Sequence, residues 1–281
     1  MNILFVNTFD VSPFLGGTER ITDTLCREFR KRCLCRCYLA YYEGIDSLYK
    51  KTVFDGRLCL GSRKNVALLI DYIVKKDIDV VLLQGQLGLA KGIRQAIGKK
   101  IKIIFAHHLY PGVEREDVSW SNSVLKCWKS RGLMANMLRL TAYPILKVKH
   151  LYALPLKYKD TYDYSDKVVL LSSELIQPFT AFGHIKDTDK FSVIPNTLSF
   201  DIFFPFEKIY EKEKVVLIVS RLVENPKRIS LALRSWKELM SDDRLADWKL
   251  VIVGSGSDEN NYKSYVANYG ASPTAGTACK K

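Results

Sequence analysis

The chain has 281 residues, 47% of them hydrophobic, which is enough to bury one large core or two ordinary ones and excludes global disorder. Its formal net charge of +13 at pH 7 points to an anionic partner, whether nucleic acid, membrane surface or phosphorylated ligand. No apolar run approaches the roughly 20 residues of a membrane-spanning helix, and the opening MNILFVN is too short for the apolar part of a signal peptide.

Seven cysteines, an odd number, without a signal segment predict reduced thiols and a cytoplasmic protein. Apolar strand-like runs alternate with amphipathic helical ones, the pattern of an α/β fold with a parallel sheet wrapped by helices. Strands are predicted over Asn2–Asn7, Cys35–Tyr41, Val80–Leu83, Lys102–Ala106, Lys167–Leu171 and Phe191–Ile194. Between them Ile21, Leu25 and Phe29 mark one helix face, and Val66, Leu69, Ile70 and Ile73 another. Cys33, Cys35 and Cys37 alternate, so as a strand they would share one face. A thiolate metal site is conceivable there, but a buried strand face suits them better, because no C-x-x-C spacing occurs.

The first alternating unit ends near Asn196. Residues 197–213 read as a linker with Pro, aromatics and a charged close. A second alternation follows with a strand at Val215–Ser220, a helix from Pro226, a strand at Lys249–Val253 and a helix from Asp258 to about Tyr269. Two parallel strands neither cover both faces nor protect their edges, so the second block, 214–270, reads as incomplete. The closing stretch, 271–281, is small and polar, without periodicity.

In doubly wound sheets ligands gather beyond the carboxyl ends of the strands. After the first strand, Gly16 and Gly17 lead into a helix beginning about Thr18. They serve either as a flexible loop with a Thr cap or as a backbone approach to an anion. His107 and His108 follow the strand Lys102–Ala106 on the same edge, where a histidine either is structural or works in acid–base chemistry or hydroxyl binding. His150 and His184 have no such position. Asn225 reads as an N-cap and Pro226 as the first helical residue, which puts Lys227 and Arg228 in a first turn whose dipole disfavours cations. With Arg221 they form a cluster that an arriving anion would neutralise.

The stretch VIVGSGSDENN lacks the third glycine of a dinucleotide fingerprint, Glu259 standing in its place, although Gly254 and Gly256 can form a tight loop under a nucleotide. Asp77-Ile-Asp79 and Asp187-Thr-Asp189 precede strands and so enter the sheet on the edge away from ligands, and no metal site is expected from them. Residues 118–159 contain eight Lys or Arg and no acidic residue, with Trp120, Trp128 and several Tyr and Leu interleaved at helical spacing. This is either a solvated basic insertion or a contact for an anionic membrane at its inner face. A basic nucleic-acid-binding protein is a further, weaker alternative from the charge, although no nucleic-acid-binding motif is present.

Several of these pieces together resemble glycosyltransferase family four, of the two-domain GT-B fold. They are GGTER, VVLLS, FSVIPNTLSFD, VLIVSRLVENPKR and WKLVIVGSGSDENNYKSYV, in the family's order, and they span about Met1 to Tyr269. The resemblance implies a GT-B-like chain: one complete doubly wound, Rossmann-like acceptor-side domain over 1–196 and the start of a nucleotide-sugar-binding domain. It implies transfer of a sugar from a nucleotide-sugar donor to a glycan or lipid-linked acceptor, with retention, no cofactor and no metal. Arg221 and Lys227 match the family's basic pair at the donor diphosphate, and Gly17 its first-domain loop. His108 fits the first-domain histidine, with His107 the alternative register. The family continues for roughly another hundred residues with an E-x7-E pair that has no counterpart after Gly256. The implied alternative is therefore a truncated, inactive remnant that binds acceptor or membrane.

Overall fold

The computed structural model describes residues 1–12, 16–44, 53–62, 65–118, 137, 141–197, 207 and 212–268. The chain divides into two compact units, Met1–Ser199 and Phe200–Lys281.

The first unit holds β1 (Asn2–Phe9), α1 (Gly17–Cys33), β2 (Arg36–Glu43), β3 (Gly56–Cys59), α2 (Val66–Lys75), β4 (Val80–Gln84) and α3 (Leu89–Ile97). It continues with β5 (Lys102–His107), α4 (Tyr143–Tyr164), β6 (Lys167–Leu170), α5 (Ile176–Gly183) and β7 (Phe191–Val193). The seven strands form one sheet in the order β3-β2-β1-β4-β5-β6-β7, every pair parallel. The order reverses between β1 and β4, which makes their carboxyl ends the topological switch point.

The run NILFVNTF is apolar at consecutive positions because a central parallel strand is covered on both faces. Leu4 and Val6 enter a core built with Leu69 and Ile73 of α2, Ile93 of α3, Tyr158 of α4 and Phe179 of α5. Ile3 and Phe5 enter a second core on the opposite face, with Cys26, Leu25 and Phe29 of α1. The predicted helix faces of α1 and α2 are therefore the ones buried.

Four points differ from the sequence reading. β3 is a short edge strand whose GRLC alternates partly buried and exposed residues, too weak a pattern to register. Cys33 is the last residue of α1 and exposed, because Leu34 ends the helix in the left-handed region at φ 50° before the chain turns into β2. Only Cys35 and Cys37 are buried there, and among the described residues no group of His, Cys, Asp or Glu is arranged to hold a metal ion. α3 and α5 join the core without having been predicted.

In the second unit β8 (Val215–Val219) pairs in parallel with β9 (Lys249–Val253). A short turn of helix, α6 (Glu224–Lys227), is followed by α7 (Ile229–Leu239), and α8 (Glu259–Asn268) comes after β9. Leu222, Ile229, Leu233, Leu250 and Tyr262 make its core. The fourth difference lies here. The longer helix begins at Ile229, after Arg228 has taken the left-handed conformation at φ 48°, so Lys227 and Arg228 precede it and do not occupy its first turn.

Candidate functional site

At the switch point the end of β1 meets the end of β4. Asn7 is fully buried and donates from Nδ2 to Thr22 Oγ1 of α1 at 3.2 Å, which ties the helix to the strand. Gln86 donates to the Gln84 carbonyl at 2.9 Å. Asn7 Oδ1 and Gln86 Oε1 are both buried without a partner, so polar capacity is left over at this edge. Gly17 opens α1, and a Cβ there would meet no atom within 4 Å. Gly16 caps α1 in an ordinary extended conformation, and a Cβ there would overlap only the flexible end of Glu19. The helix N-terminus thus faces the switch point without side-chain cover from either glycine.

His107 and His108 lie on opposite faces of the sheet. His107 is 2% exposed and packs among Phe105, Tyr158 and Phe179, with ring centroids 5.5–5.8 Å apart. Burial, with a smaller push from His108, lowers its pKa to about 4, so it is neutral. The Tyr158 hydroxyl beside it donates to Glu114 Oε2 at 2.6 Å and accepts from the Gly112 amide at 2.9 Å. Burial and the Glu114 hydrogen bond push the Tyr158 phenol well above its usual range. The arrangement pins the loop after β5 to α4 and leaves His107 in the core.

His108 points to the α1 side. Its Nε2 meets Gln84 Oε1, while burial lowers its pKa and keeps the ring neutral. A neutral ring that gives its Nε2 proton to an amide oxygen presents a lone pair at Nδ1. Nδ1 is buried and unpartnered, and so is Gln84 Nε2. Gln84 was missed in the sequence. The signal was one polar residue closing the apolar strand VVLLQ at its carboxyl end.

In the second unit two loops interlock. Leu222 N donates to Ser255 O at 2.9 Å, Ser220 N to Val253 O at 3.0 Å and Asp258 N to Leu222 O at 3.0 Å. A Cβ on Gly254 would overlap the Ser220 carbonyl, and one on Gly256 the Leu222 backbone. These glycines therefore hold the segment that carries Arg221 in close backbone contact. Arg221 and Lys227 are both exposed in the connection between β8 and α7, and neither has an ion-pair partner among the described residues. The positive end of α7 has its own anion. Glu224 accepts from Ser230 N at 3.2 Å, from the Ser230 hydroxyl, and from the Tyr262 hydroxyl at 2.9 Å. Those hydrogen bonds, the Ser230 hydroxyl first, hold its carboxyl below the usual range.

The Asp pairs sit at strand entries. Asp79 Oδ2 accepts from the Asn2 amide at 2.7 Å, and Asp187 Oδ1 accepts from Asp189 N at 2.9 Å. His150 is structural: its Nε2 donates to the Glu114 carbonyl at 2.9 Å. His184 is the left-handed cap of α5. Of the basic stretch, residues 119–136 and 138–140 lie outside the described residues, as do 198–206, 208–211 and 269–281 of the linker and tail. Within α4, Ile145, Val148, Tyr152 and Leu156 are 53–75% exposed, with Lys147 and Lys149 among them. No helix among the described residues is long and apolar enough to cross a membrane.

No curated protein matches the chain in sequence. Residues 199–275 match the model of the family described as Glycosyl transferases group 1. Among solved structures, sucrose-phosphate synthase from Thermosynechococcus elongatus is similar at 10% identity and TM-score 0.59, over 100% of this chain and 70% of that one. WaaG, a glycosyltransferase of lipopolysaccharide biosynthesis, is similar at 12% identity and TM-score 0.56, over 98% and 69%. A protein from Listeria monocytogenes described as a UDP-N-acetylglucosamine 2-epimerase is similar at 11% and 0.52, over 98% and 68%. The chain spans only 36% of the length of another solved relative. At these identities the likeness establishes the fold, and that fold serves more than one chemistry. By fold and by the match over its second unit, the chain resembles the GT-B glycosyltransferases, and its residues 199–275 carry the glycosyl transferases group 1 signature.

Proposed function

We propose that the protein transfers a sugar from a nucleotide-sugar donor to a glycan or lipid-linked acceptor, with retention and without a metal or cofactor. The observation that carries this reading is the family match over 199–275, the segment that holds Arg221 and Lys227. Two exposed cations without ion-pair partners among the described residues suit a leaving diphosphate, whose negative charge grows in the transition state. Gly254 and Gly256 fix the backbone beside Arg221, so the cation is presented without a reordering cost. In the first unit, Gly16, Gly17 and His108 lie at the carboxyl edge of the sheet, where ligands gather in doubly wound folds.

The exposed apolar residues of α4 with Lys147 and Lys149 favour a peripheral site of action, at the cytoplasmic face of an anionic membrane. Nucleic acid is not an expected partner. The reading is tested by incubating the full chain with a panel of nucleotide sugars and measuring nucleotide release and product by mass spectrometry. Turnover that falls at least 100-fold in Arg221→Ala or Lys227→Ala supports it. Donor binding with no transfer to any acceptor would instead favour an inactive binder, and epimerised donor without nucleotide release would refute sugar transfer.

A further inference from the structure

The connection that carries Gly16 and Gly17 leaves the end of β1, and its first residues are held from the edge strand β3. Phe5 of β1, Leu39 of β2 and Arg57 of β3 are level in the sheet, so they share one face, the one that α1 covers. Val11 is buried in the core of that face with Phe5, Leu39 and Phe54, so the chain leaving β1 folds back over it. There Arg57 Nη2 meets Asp10 Oδ1 at 2.8 Å and donates to the Val11 carbonyl at 3.1 Å. Asp10 Oδ1 in turn accepts from the Val11 amide at 2.9 Å, and Asp10 N donates to Glu43 O at 3.0 Å. Val11 is thus fixed at both its amide and its carbonyl. The guanidinium carbon lies 5.9 Å from the centre of the buried Phe54 ring, which limits where the arginine can swing.

The Arg57 and Asp10 side chains are 28% and 16% exposed, so solvent and salt screen this pair less than a surface pair such as Arg32 with Glu28, at 77% and 42%. The far flank of the same connection is fastened as well. Asn7 Nδ2 of β1 donates to Thr22 Oγ1, and the Thr22 hydroxyl donates to the Thr18 carbonyl at 2.8 Å in the first turn of α1. Gly16 and Gly17 therefore stand between two anchors, Arg57 on the strand side and Asn7 on the helix side. A backbone fixed before a ligand arrives takes the ordering entropy out of the binding step. We propose that Arg57 is a positioning residue, which sets how the Gly16–Gly17 backbone is presented at the switch point without itself touching the ligand. The role in catalysis rests on the sugar-transfer reading, whereas the anchoring of the connection does not.

The test compares Arg57→Ala, Arg57→Lys and the surface control Arg32→Ala in the full chain. Amide hydrogen exchange over residues 10–20 is expected to quicken about tenfold or more in Arg57→Ala, with exchange in β4 and β5 unchanged. Arg57→Lys, which keeps the charge and loses the planar fork, should fall between, and Arg32→Ala should match the wild type. With nucleotide sugars, kcat/KM should fall roughly 10- to 100-fold in Arg57→Ala and recover in part in Arg57→Lys. If circular dichroism shows Arg57→Ala to be unfolded, Asp10→Asn replaces it and should give a smaller change in the same direction. Unchanged exchange over residues 10–20 overturns the proposal, and so does a rise shared equally by β4 and β5, which would mark Arg57 as a general stabiliser. Faster exchange confined to residues 10–20 with unaltered kcat/KM overturns the positioning role. A wild-type chain that turns over no nucleotide sugar refutes the transfer reading instead, and the exchange rates then decide the anchoring alone.

Discussion

His107 and His108 occupy successive positions at the end of β5, and the two-residue period of the strand sends them to opposite faces. His107 is held neutral in the core, with a pKa near 4 against 6.5 for the free side chain. A histidine whose folded pKa is depressed contributes stability that is fully present above the unfolded value and is lost as pH falls toward the folded one. The first unit should therefore lose about 3 kcal/mol between pH 7 and pH 4 from this group. His107→Leu should flatten that part of the stability–pH curve in urea titrations, and an unchanged slope would contradict the assignment. The sequence placed both histidines on the ligand edge, and only the family resemblance favoured His108, with His107 as the alternative register. The choice depends on which face each takes, and therefore on where β5 ends. Gln84 illustrates a second limit, since its importance lies in its contact with His108, which no residue pattern reveals. Tyr158 is a third case. Its hydroxyl links the Gly112 amide to Glu114 across more than 40 residues of sequence. Tyr158→Phe should cost about 1–3 kcal/mol, measured by thermal unfolding, because the half-buried Gly112 amide loses its acceptor and Glu114 its donor.

At the scale of elements, the helices that read best from sequence are those with a clean apolar stripe. Ile21, Leu25 and Phe29 of α1 fall where the 3.6-residue period put them. Helix ends read worse because caps are set by local hydrogen bonds. Leu34 ends α1 in the left-handed region with its side chain 87% exposed, a conformation that disfavours any residue with a Cβ. Leu34→Gly should raise stability by about 1 kcal/mol, read as an increase in the unfolding midpoint. Asn225 and Pro226 made a plausible helix start, but they lie inside α6, whose N-cap is Val223, while α7 has Arg228 at its N-cap and its Ser230 amide is satisfied by Glu224 of the preceding turn. Its depressed pKa contributes stability above the unfolded carboxylate value, lost as pH falls through the folded one. Glu224→Gln should lower the stability of the second unit by about 1 kcal/mol at pH 7, read as a fall in its unfolding midpoint, and the gap should close below the carboxylate range.

For the whole molecule, the alternation of strands and helices was legible because parallel sheets leave continuous apolar runs. The order of the strands was not, since it depends on which runs neighbour each other in space. The two units keep separate cores, with Phe105 in one and Leu233 in the other. Differential scanning calorimetry should show two transitions, the one shifted by Phe105→Ala differing from the one shifted by Leu233→Ala, with each substitution costing roughly 2–5 kcal/mol. A single shared transition would show that the units unfold together. The interlocked loops around Gly254 and Gly256 also have a temporal consequence. A segment whose backbone is already clasped on both sides has no rearrangement to complete when an anion arrives at Arg221. Stopped-flow binding of a nucleoside diphosphate should then follow one exponential whose rate rises linearly with concentration, without the plateau that a slow folding-over of the loop would impose.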